Sequence, residues 1–259
     1  MKIIISPAKK MNVDTDSLEY TDLPVFMNET QQIMGWMQKL TYDEAKKLWS
    51  CNDKIAELNF SRFREMELKR NLTPALLSYE GIQYQYMAPG VFTDQEWNYV
   101  QEHLRILSGF YGVVKPLDGV TPYRLEMQAK AKVGATKDLY DFWGDKLYEE
   151  ILDSDRIILN LASKEYSKCI ENYLHPEDKF VTCVFGEWKK DVVPSKDSEE
   201  ARKQIIQKGT QAKMARGEMV RFMAENKIES LEEIKQFNRR GYMFKKEFSS
   251  EKEYVFVKE

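Results

Sequence analysis

The sequence predicts an α/β fold of mixed α+β character: one compact domain over residues 1–259, with a central mixed sheet, surrounding helices and a helical hairpin in its N-terminal half. Three observations predict it. Short β-rich runs recur at Lys2–Ser6, Arg105–Leu107, Arg156–Leu161 and Phe180–Phe185, each leading directly into polar or turn-forming residues, the pattern of buried strands. Between them lie segments with apolar residues at helical spacing. No low-complexity linker or internal repeat divides the chain.

Composition narrows the class. The chain is 42% hydrophobic and 31% charged, with mean hydropathy -0.58, which suits a globular protein with a sizeable core and excludes wholesale disorder. No apolar run reaches the roughly 18 residues of a membrane span. The apolar segment at Ile3–Ile5 is too short for a signal peptide and is interrupted by Pro7, so a cytoplasmic protein without membrane contact is expected. Three cysteines form neither an even disulfide set nor a close metal pair; Cys183 lies in an apolar run and Cys169 on a predicted helix, which favours buried packing over redox work. His103 and His175, the only histidines, are 72 residues apart, and no metal site or cofactor is predicted.

The elements follow in order. Lys2–Ser6 reads as a central strand that delivers Ser6, Lys9 and Lys10 to a sheet edge where open α/β folds bind ligands. Lys9 can meet a phosphate there or stay solvated; no glycine-rich phosphate loop exists in the chain. Asn12–Pro24 is an aperiodic surface excursion. Glu29–Leu40 carries Ile33, Met34, Trp36, Met37 and Leu40 at helical spacing. Thr41 with Glu44 caps a second helix, Tyr42–Ser50, and Asn52-Asp53 turns the chain and caps a third, Lys54–Met66. This hairpin, at about residues 41–66, is either ordinary packing or a helix-hairpin-helix unit that grips duplex backbone with Lys54 and Arg62. The glycine of a phosphate-binding turn is missing from Cys51–Lys54.

Leu76–Met87, aromatic-rich and interrupted by Gly81, reads as one or two strands or a loop. Thr93-Asp94 opens a helix to His103, and the aromatic cluster of Lys137–Asp145 stands beside another helix start. Arg156–Leu161 is the clearest buried strand, and Ser163 is placed to cap the helix after it. Phe180–Phe185 and Lys189–Val193 read as a hairpin through Gly186-Glu187. Ser198–Asn226 reads as a helix bent or divided at Gly209 and Gly217; Ser230–Gln236 and two terminal strands close the domain.

The densest constraints fall in Arg105–Met127, where glycines at 109, 112 and 119 and prolines at 116 and 122 hold Lys115, Asp118, Tyr123, Arg124 and Glu126 on a stiff loop. Such a loop either ties itself together, with Arg124 paired to Asp118 or Glu126, or walls a site. Three strand ends can converge there on one cleft holding Ser6, Lys9, Ser108, Tyr111, Arg124, Asn160, Ser163 and Tyr166. Net charge is -3 and the pI about 5.7, yet the segment with Arg202, Lys203, Lys208, Lys213, Arg216 and Arg221 contains a single acid, Glu218. A local basic surface on an acidic protein is therefore expected.

Leu107–Asp118, L-S-x-x-Y-G-x-x-x-P-L-D, and Pro122–Met127, P-Y-R-L-E-M, resemble the signature of the YaaA family of bacterial peroxide-stress-response proteins. Ile5–Lys9, Lys137–Tyr140 with Phe142–Asp145, Asn160–Ser163 with Glu165-Tyr166, Ala215–Gly217, and Phe237-Asn238 with Gly241-Tyr242 follow in the family's order. One departure is Lys213-Met214, where the family often has two basic residues.

The resemblance implies cytoplasmic defence against hydrogen peroxide, limitation of iron-dependent oxidative damage, and DNA binding with a hairpin of the kind described. Double-stranded or branched DNA would be held without sequence specificity by Lys9, Lys54, Arg62, Arg124, Lys213, Arg216 and Arg221. The competing class is an enzyme acting on a small phosphate-bearing or nucleoside-like molecule, bound by Ser6, Tyr111, Arg124 and Asn160 with Glu126 as base. No nucleophile, base and orienting group can be read from spacing. An interaction protein without chemistry is the third reading.

Overall fold

The computed structural model describes residues 1–189 and 198–259. In β1 (Lys2–Ile5) the three isoleucines are fully buried, and Pro7, lacking an amide proton, stops the ladder. After the two-residue β2 (Lys10–Met11), α1 (Met27–Met37) buries Ile33, Met34 and Met37. α2 (Tyr42–Trp49) starts from a capping box made by Thr41 and Glu44. α3 (Asp53–Arg64) starts at Asn52, whose side chain accepts from the Ile55 amide at 3.0 Å. Ser50, at φ 46°, supplies the left-handed position between the two helices, so the hairpin turns without a glycine.

The aromatic stretch Leu76–Met87 corrects the strand expectation. After β3 (Thr73–Pro74) it forms α4 (Ala75–Ser78), β4 (Tyr79–Glu80) and α5 (Ile82–Met87). Gly81 is the extended residue that opens α5. Tyr79 and Tyr84 are core residues, so burial rather than a pleat explains the aromatics.

α6 (Asp94–His103) begins at a second capping box, Thr93 with Glu96, and runs straight into β5 (Leu104–Ser108). β6 (Gly112–Val114) folds back on β5, with Gly112 at φ 75° making the return. β7 (Gly119–Val120) pairs with β3. Next come α7 (Leu139–Trp143), α8 (Lys146–Ile151), β8 (Ile157–Asn160) and α9 (Lys164–Glu171).

β9 (Lys179–Trp188) runs unbroken through Gly186 and Glu187, so the hairpin expected there is absent. Its antiparallel partner is β10 (Ile205–Ile206), which crosses so closely at Gly186 that a Cβ would collide with Ile205. Residues 190–193 of the expected second arm lie outside the described residues. The expected long helix is divided: α10 (Ser198–Lys203), then β10, then α11 (Gly209–Asn226). α12 (Leu231–Ile234), β11 (Tyr242–Phe244) and β12 (Glu253–Lys258) follow.

Eight strands of the described residues make one mixed sheet in the order β11-β12-β9-β8-β1-β5-β6, with β10 on β9. The five from β12 to β5 are parallel, and β6, β10 and β11 are antiparallel. The predicted class, α/β with a mixed central sheet and surrounding helices, is the one observed. Parallel strands need cover on both faces; α11 packs on β9 and α8 on the neighbouring antiparallel β6. The carboxyl ends of β1, β5, β8 and β9 consequently share one edge. Among the described residues no helix is long and apolar enough to cross a membrane.

Candidate functional site

At that edge a cleft of about 390 Å³ is enclosed by the loop after β1, the β4–α5 junction, the segment Tyr123–Glu126, the start of α9 and one face of α11. Ser6 fastens two of these walls. Its hydroxyl accepts from the Ser163 amide at 2.8 Å and donates to the Ser163 hydroxyl at 3.2 Å. Its carbonyl accepts from the Tyr84 hydroxyl at 3.0 Å. Ser163 therefore sits at the N-cap of α9, but its side chain accepts no hydrogen bond from the first turn.

The mouth of the cleft is polar and charged. Glu126 receives Lys9 at 2.8 Å and Arg124 at 3.4 Å, and Lys10 pairs with Glu80 at 2.7 Å. The Arg124 carbonyl accepts from the Trp49 indole at 2.5 Å, which ties this wall to α2. Glu165 is the third carboxylate; burial pushes its carboxyl up, with the nearby Glu126 adding to the effect. Five cations, Lys9, Lys10, Arg124, Lys213 and Arg216, thus face three carboxylates.

Lys213 and Arg216 stand three residues apart on α11 and so share a face. Neither has an ion pair among the described residues. Burial pushes the Arg216 guanidinium down, and its Nε has no hydrogen-bond partner. Gln83, which lines the same cleft and is 6% exposed, has its side-chain nitrogen buried and equally unpartnered. Gly217 brings α11 onto the backbone of Gln83: a Cβ there would collide with the Gln83 carbonyl oxygen and stand 2.9 Å from the Met87 amide nitrogen. α11 and α5 therefore meet backbone to backbone.

The structure gathers Ser6, Lys9, Arg124, Glu126, Ser163, Tyr166, Lys213 and Arg216 around this cleft and sets the other six candidates elsewhere. The Ser108 hydroxyl accepts from the amides of Phe110 (3.1 Å) and Tyr111 (2.8 Å) and bonds the Tyr123 hydroxyl at 2.6 Å, so it braces the loop from behind. Tyr111 is buried, its hydroxyl accepting from the Thr121 amide at 3.0 Å. Asn160 spans the Ala162 amide (2.8 Å) and the Thr182 hydroxyl (3.1 Å). Arg62 donates to the Met11 carbonyl at 3.2 Å, and Lys54 is exposed on α3. Arg221, five residues beyond Arg216, turns away and binds Glu225 at 2.7 Å.

Sequence reasoning missed Gln83, Tyr84 and Glu165. The signal available for Gln83 was indirect: the glycine after Arg216 implied a close backbone neighbour. The histidines are otherwise engaged: His103 is buried with Nδ1 3.0 Å from the Met1 carbonyl, and His175 stacks on Tyr148. Among the described residues no three His, Cys, Asp or Glu side chains are placed to hold a metal ion. Cys169 and Cys183 are buried and Cys51 is partly exposed.

Comparison with known proteins adds the following. Residues 1–248 match a family model described as peroxide stress protein YaaA. A UPF0246 protein of Agathobacter rectalis is 56% identical over 256 residues, covering 99% of this chain and 98% of that protein. A UPF0246 protein of Lachnoclostridium phytofermentans is 52% identical over 258 residues, 100% of this chain and 96% of its own. One from Desulfitobacterium hafniense is 51% identical over 258 residues, covering 100% and 98%.

Proposed function

Because the chain belongs to the YaaA family of peroxide stress proteins, we propose that it serves the cytoplasmic response to hydrogen peroxide by binding DNA without reading its sequence, at the cleft of Lys9, Arg124, Lys213 and Arg216. The observation that carries this reading is the gathering of cations from three distant stretches around one concavity, five against three carboxylates, on a chain of net charge -3. Phosphate contacts position a duplex but carry no base information.

The cleft is too small to admit a duplex, so double-stranded DNA rests across its mouth, where Lys9 and Lys213 are exposed, and a branch or end can reach further in. Neutralised phosphates release their condensed cations. Ferrous ions belong to that atmosphere, so covering the backbone moves the site of peroxide reduction, and the hydroxyl radical it makes, away from the DNA. That is the link to limiting iron-dependent damage.

The test is fluorescence anisotropy on two unrelated duplexes at two salt concentrations. Affinities should agree between sequences and fall with salt at a slope of about -0.9 per phosphate contact, with two to four contacts. Lys9→Glu with Lys213→Glu should cost at least about tenfold, while Arg221→Ala, remote from the cleft, serves as the control. Absent or salt-insensitive binding overturns the proposal.

A further inference from the structure

We infer that the inner end of the cleft is a phosphomonoester subsite, formed by Arg216, Gln83 and the uncapped first turn of α9. The inference rests on reading the cleft as a phosphate-binding surface and specifies which phosphate enters it.

Two groups at that end are donors without acceptors. The Arg216 Nε and the Gln83 side-chain nitrogen are buried with no hydrogen-bond partner. A buried polar group left unpaired is costly, and a buried cation without a counter-ion more so. Gly217, inside a helix, lacks the helix propensity of alanine, yet it is what lets α11, with Arg216, lie against the Gln83 backbone of α5. On the opposite wall α9 opens with no capping side chain, because Ser163 is turned to Ser6. The Tyr166 and Ser167 amides donate to the Ser163 carbonyl, which leaves those of Lys164 and Glu165, with the dipole of eight residues, to favour an anion.

Two features select a terminal phosphate over one within a strand. The accessible cations, Lys9 and Lys213, are at the mouth, whereas Gln83 and the Arg216 Nε are buried. A phosphodiester must leave such an end along two ester arms; a monoester needs one, and its second negative charge matches a set made of donors. The nearby carboxylates are occupied: Glu126 binds Lys9 and Arg124, and Glu165 accepts from the Gln128 amide at 3.3 Å.

The same chemistry is offered by the phosphorylated end of a DNA strand and by a free mononucleotide. Anisotropy on one duplex, prepared with a 5′-phosphate or a 5′-hydroxyl, distinguishes the first source. Thermal stabilisation by deoxyadenosine monophosphate against deoxyadenosine distinguishes the second. The expected results are at least tenfold tighter binding of the phosphorylated duplex, stabilisation by the nucleotide but not the nucleoside, and a phosphate preference that falls toward one in Gln83→Leu. Arg216→Met, which removes the other unpartnered donor, is the second variant should Gln83→Leu not fold, and the same loss of phosphate preference is expected of it. A preference for the nucleotide alone keeps the subsite and assigns it to a free ligand, even if no duplex binds. Equal binding of both duplexes with no response to the nucleotide overturns the subsite, whether or not salt-dependent DNA binding persists.

Discussion

Gly217 of α11 lies against the backbone of Gln83 in α5 so closely that a Cβ at residue 217 would overlap the Gln83 carbonyl oxygen. Alanine there must push the helices apart and separate Arg216 from Gln83. Gly217→Ala is expected to lose about 1–3 kcal/mol of stability by overpacking, although alanine is the better helix former. Urea denaturation measures it; an unchanged midpoint would show that the contact yields at no cost.

Glu126 binds both Lys9 and Arg124, two of the cations that the proposed function assigns to phosphate. Glu126→Gln should tighten duplex binding by about three- to tenfold at low salt and steepen the salt slope by about one contact. Weaker binding would mean that Glu126 orients these cations rather than competing for them.

Asp118 is 4% exposed, and burial pushes its carboxyl up to about 7 even though it accepts from the Lys115 amide at 2.8 Å. Arg105 and Lys115 pull it down and Asp22 pushes it up. An unfolded aspartate titrates near 3.9, so the folded state holds this proton more tightly. Its contribution is complete below about pH 4 and is lost as pH rises through about 7. Asp118→Asn keeps an acceptor without the charge. The stability of the variant relative to the parent should therefore rise between pH 4 and pH 8, by on the order of 2–4 kcal/mol. Parallel denaturation curves across that range would remove the assignment.

Burial pushes Cys169 and Cys183 up to about 12, which leaves almost no thiolate at neutral pH. The native protein should take up one iodoacetamide label per chain, at Cys51, and the other two only after denaturation. Intact-mass measurement decides it; prompt labelling of Cys183 would reopen a thiol-based response to peroxide.

Much of the scaffold was legible because its signals are local. β1 and β8 are continuous apolar runs, as strands buried on both faces must be, and Thr41 with Glu44 announces the start of α2. α5 was not, since Ile82–Met87 alternates like a strand while tertiary burial makes it a helix. β9 passes through Gly186 because another strand crosses there, a fact that no window around Gly186 contains. At the cleft, strand ends located the neighbourhood and the family motifs supplied Arg124 and Arg216. The direction of each side chain was hidden: Ser108 and Asn160 also end strands, yet their hydrogen bonds turn them inward. Gln83 was invisible because its role depends on a helix more than a hundred residues away.

The place of β1 in the sheet also governs how the protein is made. It leaves the ribosome before either of its ladder partners, which begin at residues 104 and 157. At about 5–20 residues per second, Ile3, Ile4 and Ile5 wait on the order of ten seconds with both edges open. The nascent chain is thus most prone to aggregate before residue 160 is translated, and chaperone dependence should trace to that interval.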